Sequence, residues 1–134
     1  MALSADRNTP RREGGFESHP VKASTKIYAG ALVCLDASGW AVPGSVATTL
    51  TVLGRADALA DNSAGANGDI NVQVRRGIFQ WKNSASSDEI TRAEIGDTAY
   101  IVDDETVAKT DGSSARSAAG IIIDVDAQGV WIES

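Results

Sequence analysis

Few residues in this chain are able to do chemistry. His19 is the only histidine and Cys34 the only cysteine. A Ser-His-Asp or Cys-His mechanism needs a base held rigidly beside its nucleophile. His19 instead precedes Pro20 in a stretch with no periodic pattern, and nothing in the spacing brings it to Cys34. Cys34 lies in the apolar run Ala31–Leu35, where a thiol reads as a small buried hydrophobe, and a lone cysteine excludes an intrachain disulfide. Zinc sites built from His and Cys are excluded by count. Asp61, Ser63, Asn67 and Asp69 place oxygen-bearing side chains at spaced positions, a faint likeness to a calcium loop without its terminal Glu. Asp and Asn are favoured turn residues, so solvated turns are the expectation there. A carboxylate hydrolase would need a pair such as Asp103 and Asp124 to converge in a pocket. Gly14-Gly15 and Gly65-Ala66-Asn67-Gly68 lack the Lys and following helix of a phosphate loop. No catalytic residue, metal or cofactor is expected, and the chain reads as a non-enzyme.

Recognition chemistry is better represented. Arg75-Arg76 can grip carboxylates bidentately, and beside a strand bend an intersubunit or surface ion pair is expected. Trp40, Trp81 and Trp131 fall at strand positions, where packing in a core or an interface is the first reading. Residues 1–26 carry five basic side chains against three acidic ones, while the remainder carries seven against fifteen, within an overall net charge of −6. That balance argues against general nucleic-acid binding. A mildly basic leader on an acidic body suits docking to an acidic neighbouring surface, a second copy included.

The elements that must position these groups are short strands. Gly68 to Trp81 alternates through Ile70, Val72 and Val74, breaks at Arg75-Arg76-Gly77, and resumes with Ile78, Phe79 and Trp81. Period-two alternation marks a half-buried strand, and Gly at the break marks a bulge or sharp bend. Ala31–Leu35 and Trp40–Val42 flank the turn Asp36-Ala37-Ser38-Gly39, and Thr51–Ala56 is a further strand. Asp61–Gly68 reads as a loop. Ser87-Asp88-Glu89 can cap a single helical turn. Two hairpins follow, Thr98–Val102 with Thr106–Lys109 and Gly120–Val125 with Val130–Ile132, both closed by acidic turns. The expected fold is mainly β, a small barrel or sandwich of short antiparallel strands over residues 26–134. Residues 1–25 cannot bury enough apolar surface to order themselves, so they are expected as an extended N-terminal arm anchored by Phe16. No apolar run approaches the ~20 residues that span a bilayer, and the opening residues lack the apolar stretch of a secretory signal. The expectation is a protein made in the cytoplasm and without a membrane partner.

The order of these segments resembles a known family. Gly30-Ala31-Leu32-Val33, Trp40-Ala41-Val42-Pro43-Gly44 and Leu53-Gly54-Arg55-Ala56 come first, then Val72-Gln73-Val74-Arg75-Arg76-Gly77-Ile78-Phe79. Ile95-Gly96-Asp97-Thr98-Ala99-Tyr100-Ile101-Val102 and Ser117-Ala118-Ala119-Gly120-Ile121-Ile122-Ile123-Asp124 complete the set. Together they resemble the small head decoration, or capsid cement, proteins of tailed bacteriophages, over roughly residues 26–134. The resemblance implies a compact β domain on the outside of a virion. It would bind the major capsid protein and copies of itself, as a homotrimer or alternatively a dimer, with no active site. Partner-binding residues expected on this reading are Arg7, Arg11, Arg12 and Phe16 of the arm, with Arg75 and Arg76 at the bend. The competing expectation is a β-barrel module for carbohydrate or a host surface, displayed on the particle, which would need an exposed Trp platform.

Overall fold

The computed structural model describes residues 2–12 and 14–134, and among these it contains twelve strands, all paired antiparallel; two isolated parallel bridges, Val21 with Ala41 and Lys82 with Thr106, lie outside them. In chain order they are β1 (Phe16–Pro20), β2 (Thr25–Ile27), β3 (Leu32–Leu35), β4 (Ala41–Pro43), β5 (Thr51–Ala56) and β6 (Ala60–Asn62). They continue with β7 (Asn71–Arg75), β8 (Ile78–Trp81), β9 (Thr98–Ile101), β10 (Val107–Ala108), β11 (Ala118–Asp126) and β12 (Gly129–Glu133). One five-stranded sheet has the order β1-β7-β5-β3-β4 and a second the order β10-β9-β11-β12-β8; β2 and β6 form a small third sheet. The sheets remain open and stack as a sandwich, so the barrel alternative does not form.

The first sheet is the middle layer, and β3 shows why. Leu32 and Cys34 enter a core with Ile101, Ile122, Val130 and Ile132 of the second sheet, while Val33 joins Ile27, Leu53, Val72 and Val74 beneath the small sheet. Alternate side chains of one strand therefore serve two cores, which is why Leu32-Val33-Cys34-Leu35 is apolar without interruption. The same alternation sends Val52 to one core and Leu53 to the other. Burial pushes the Cys34 thiol up to about 12, so it stays protonated and behaves as a packing residue.

Two buried polar side chains tie loops to these layers. Asn62 donates through Nδ2 to the carbonyls of Val21, Lys22 and Ala66, at 3.2, 2.9 and 2.9 Å. Ser117 Oγ donates to the Ala47 carbonyl at 2.6 Å and accepts the Leu50 N–H at 3.1 Å, holding the 44–50 loop against the second sheet. Hairpin turns use a recurring device, an aspartate that accepts downstream backbone N–H groups. Asp36 takes those of Ser38 and Trp40, Asp103 that of Glu105, and Asp126 those of Gln128 and Gly129. The acidic turns are thus local chemistry shared by three hairpins.

Three sequence expectations need correction. The extended arm expected over 1–25 is shorter than that: Phe16–Pro20 pair with β7, Val21 is fully buried, and Thr25–Ile27 pair with β6. Backbone hydrogen bonds to β7 order this segment, a source of stability that its weak apolar pattern does not announce. Residues 2–12 are exposed and belong to no helix or strand. The expected long bent strand at 68–81 is two strands in different sheets, with Gly77 at φ +153° turning the chain from one layer to the other. Asp61 and Asn62, expected in a loop, belong to β6. The single turn expected at 87–89 is a 3-10 turn over Ser86–Asp88, and a second covers Arg92–Glu94.

Glycine is required where strands approach most closely. Gly54 sits at φ +153°, and a Cβ there would collide with the Arg75 carbonyl, whereas Gly39, at φ +86°, faces open space. Gly39→Ala is expected to cost about 1 kcal/mol, from backbone strain alone. Gly54→Ala adds the collision and is expected to exceed about 3 kcal/mol; urea unfolding of both variants measures the difference, and equal losses would remove the close-approach argument. A second expectation concerns Glu94, whose Oε2 accepts from Thr91 N–H and Oγ at 2.8 and 2.6 Å. These bonds, Thr91 Oγ first, and Lys109 hold its carboxyl down at about 2. A depressed carboxylate stabilises the fold above its unfolded pKa, near 4.5, and that contribution is lost as pH falls toward 2. Glu94→Gln should therefore lower Tm at pH 7, with the difference from wild type vanishing near pH 2.

Candidate interaction surface

The second sheet covers only part of the middle one. It packs over β3 and β5, leaving the same face of β1 and β7 open. Register puts Phe16 opposite Arg75, Ser18 opposite Gln73 and Pro20 opposite Asn71, and these side chains line that open face. Their partners one residue along, Val72 and Val74, point into the lower core.

Along one rim runs a ladder of aromatic and charged groups. Arg55 and Arg75 are cross-strand neighbours on β5 and β7, an arrangement that repels unless an anion intervenes. Asp57, just past β5, supplies it. Its Oδ1 accepts from Arg55 Nη2 at 2.8 Å and Arg75 Nε at 3.2 Å, and its Oδ2 from Arg75 Nη2 at 3.0 Å. Hydrogen bonds from Arg75, then Arg55, hold the Asp57 carboxyl below the usual carboxylate range. The two guanidinium groups then cap aromatic rings at opposite ends. Arg75 lies 5.3 Å from the centroid of Phe16, and Arg55 lies 4.6 Å from that of Phe79. Phe79 in turn meets Trp81 edge-on and closes the upper core. The ladder reads Phe16, Arg75, Asp57, Arg55, Phe79, from the edge of one sheet to the edge of the other. Phe16 is 42% exposed.

Of the residues expected from sequence, Phe16 and Arg75 meet here, and the expected surface ion pair at the bend forms within the chain. Arg76 turns to the opposite face, where its Nε donates to Glu17 Oε2; the other Glu17 oxygen faces His19 Nε2 at 3.0 Å. Arg76 is the main cause that holds the Glu17 carboxyl down. Arg7, Arg11 and Arg12 lie in the exposed 2–12 segment, and Arg7 donates to Thr9 Oγ1 at 2.8 Å. Sequence reading missed Arg55, Asp57 and Phe79. The available signal was a single charged residue, Arg55, in the strand Thr51–Ala56, two residues before an Asp.

The other candidate chemistry resolves into structural roles. Asp61 Oδ1 accepts from the N–H and hydroxyl of Ser63, Asp69 Oδ2 from Ala66 N–H and Asn67 Oδ1 from Ala23 N–H. Those oxygens serve turns, and among the described residues no three His, Cys, Asp or Glu side chains converge as metal ligands. Asp124 pairs with Arg92 at 2.8 Å while Asp103 caps its own turn. Trp81 is 5% exposed, so it belongs to the core, while Trp40 and Trp131 are half-buried. Among the described residues no helix is long and apolar enough to cross a membrane.

Asp57 is the keystone of the ladder. Asp57→Asn should lower Tm at pH 7, and the loss relative to wild type should shrink as pH falls below the ordinary carboxylate range, since a depressed carboxylate stabilises only while ionised. A thermal series from pH 7 to 2 checks the sign; a pH-independent difference would show that the anion does not hold the two arginines.

No protein-family model, curated protein or solved structure matches the chain. What this surface can hold therefore follows from its own residues: an aromatic ring and a paired guanidinium, presented on a rigid sheet edge beside an exposed leading segment.

Proposed function

We propose that this chain is a structural protein of a bacteriophage virion, decorating the outside of the capsid and stabilising it by bridging major capsid protein subunits. The observation that carries the reading is the junction at β1. Exposed residues 2–12, with Arg7, Arg11 and Arg12, precede the edge strand β1, whose Phe16 sits opposite Arg75 of β7 on the open face. A rigid body with a basic leader at a recognition edge suits contact with two neighbours at once: the leader reaches one subunit and the open face of β1 and β7 seats on another. Copies of the chain, as a trimer or a dimer, would multiply these contacts.

The mechanism requires no reaction. A ligand that binds only the mature lattice stabilises it by mass action, about 2.7 kcal/mol per site at a hundred times Kd. Repeated around a shell, that resists the pressure of packaged DNA. Arginine and aromatic residues suit such a contact because they bury large area at low entropic cost. The alternative, a carbohydrate or host-surface module, loses one of its three tryptophans to the core and retains Trp40 and Trp131 as half-buried rings.

Co-sedimentation with mature capsids and with unexpanded procapsids of the same virus tests the reading. Saturable binding to mature shells, at a fixed ratio to the major subunit, is the expected result. Removal of residues 2–12, or Phe16→Ala with Arg75→Glu, should weaken binding at least tenfold with the fold intact by circular dichroism, while Arg76→Ala, on the opposite face, should have less effect. Full-strength binding by the truncated and substituted proteins, or none by the wild type, overturns it.

A further inference from the structure

We infer a second docking surface on the outer face of the second sheet, shaped for a partner-protein segment that carries a Lys or Arg between two apolar side chains. Strand register sets Ile78, Glu133 and Ile121 side by side across β8, β12 and β11. Adjacent strands lie about 4.8 Å apart, so the row reads apolar, acidic, apolar within about 10 Å. A bulge between Ile122 and Asp124 then places both Ile123 and Asp124 opposite Trp131 on this face. Ile78, Ile121 and Ile123 are 46, 42 and 38% exposed. Three isoleucines at that exposure on one sheet face form a patch rather than scattered surface residues.

Charge selects the occupant. Asp124 is matched by Arg92 at 2.8 Å, whereas Glu133 has no ion-pair partner among the described residues. A second copy of the same face would set Glu133 and Asp126 of each chain against acids of the other, which like-charge repulsion disfavours. A cationic side chain flanked by apolar ones satisfies Glu133 and covers Ile78 and Ile121 together. Trp131 is held for such a contact by its Nε1, which donates to Asp126 Oδ2 at 2.9 Å. This surface goes beyond the capsid reading, because it lies on a different sheet from Phe16 and Arg75 and its recognition chemistry has the opposite charge.

The test titrates the full-length, isotope-labelled chain with the capped peptide Ser-Ile-Ser-Lys-Ser-Ile-Ser, followed by amide chemical shifts. Because no capsid is present, failure here and failure of the capsid reading are separable. Saturable shifts confined to β8, β11 and β12 are expected. Glu133→Lys, a surface change with no bond to break, should weaken the peptide at least fivefold, and Ile121→Ser should do likewise with an otherwise unchanged spectrum. Peptides with Glu for Lys, or Ser for both Ile, should not saturate. Shifts spread equally over the acidic turns at Asp103 and Asp61, undiminished binding by Glu133→Lys, or concentration-dependent self-association through this face would each overturn the proposal.

Discussion

The structure depends on one strand, β3, burying both of its faces. Each residue of β3 must serve a core, since there is no solvent side to receive a polar group. Leu32 and Cys34 pack upward and Val33 downward, all fully buried. The two small cores are thereby coupled through a single backbone, and a shift of β3 by one residue would exchange every side chain between them. This coupling lets a chain of 134 residues with a single cysteine hold three layers without an intrachain disulfide.

Within the sheets, neighbouring strands leave little clearance at three glycines. Gly54 meets the Arg75 carbonyl, Gly120 the Glu133 carbonyl and Gly129 the Trp81 carbonyl, each at a positive φ that side chains rarely adopt. Two of these contacts bring neighbouring strands of the second sheet together. The third fixes β5 against the end of β7, and so sets the spacing at which Arg55, Asp57 and Arg75 form their ladder. Backbone geometry and surface chemistry are in this sense one feature: the close approach at Gly54 makes two arginines neighbours, and Asp57 makes that tolerable.

The partial overlap of the sheets creates the surfaces proposed to bind. Where the second sheet covers the first, apolar side chains fill the space. Where it stops, β1 and β7 expose Phe16 and Arg75, and the outer face of the second sheet exposes isoleucines around Glu133. One surface is basic and aromatic, the other acidic and aliphatic, so the two are not equivalent and would select different partner chemistry. Such a division suits a bridging protein, for which stiffness between contacts matters more than a deep cavity.

Much of the local structure was legible in the residues. Thr51–Ala56 forms a strand at the expected bounds, and the three hairpins fall where alternating apolar residues meet Asp-led turns, because those signals are properties of a few adjacent residues. The burial of Cys34 was legible for the same reason. What adjacent residues cannot encode is which strand pairs with which, since pairing is settled by contacts between distant segments. Phe16–Pro20 has the composition of a loose leader and becomes a strand only because β7 offers its edge. The apparent continuity of 68–81 hides a change of layer at Gly77, visible only once β8 is seen beside β12. Arg55, Asp57 and Phe79 looked like unrelated residues until β5, β7 and β8 were placed together. The β class, the turns and the apolar strands are written in neighbouring residues; sheet order and the two exposed faces emerge only from packing, because they arise from where one layer ends over another.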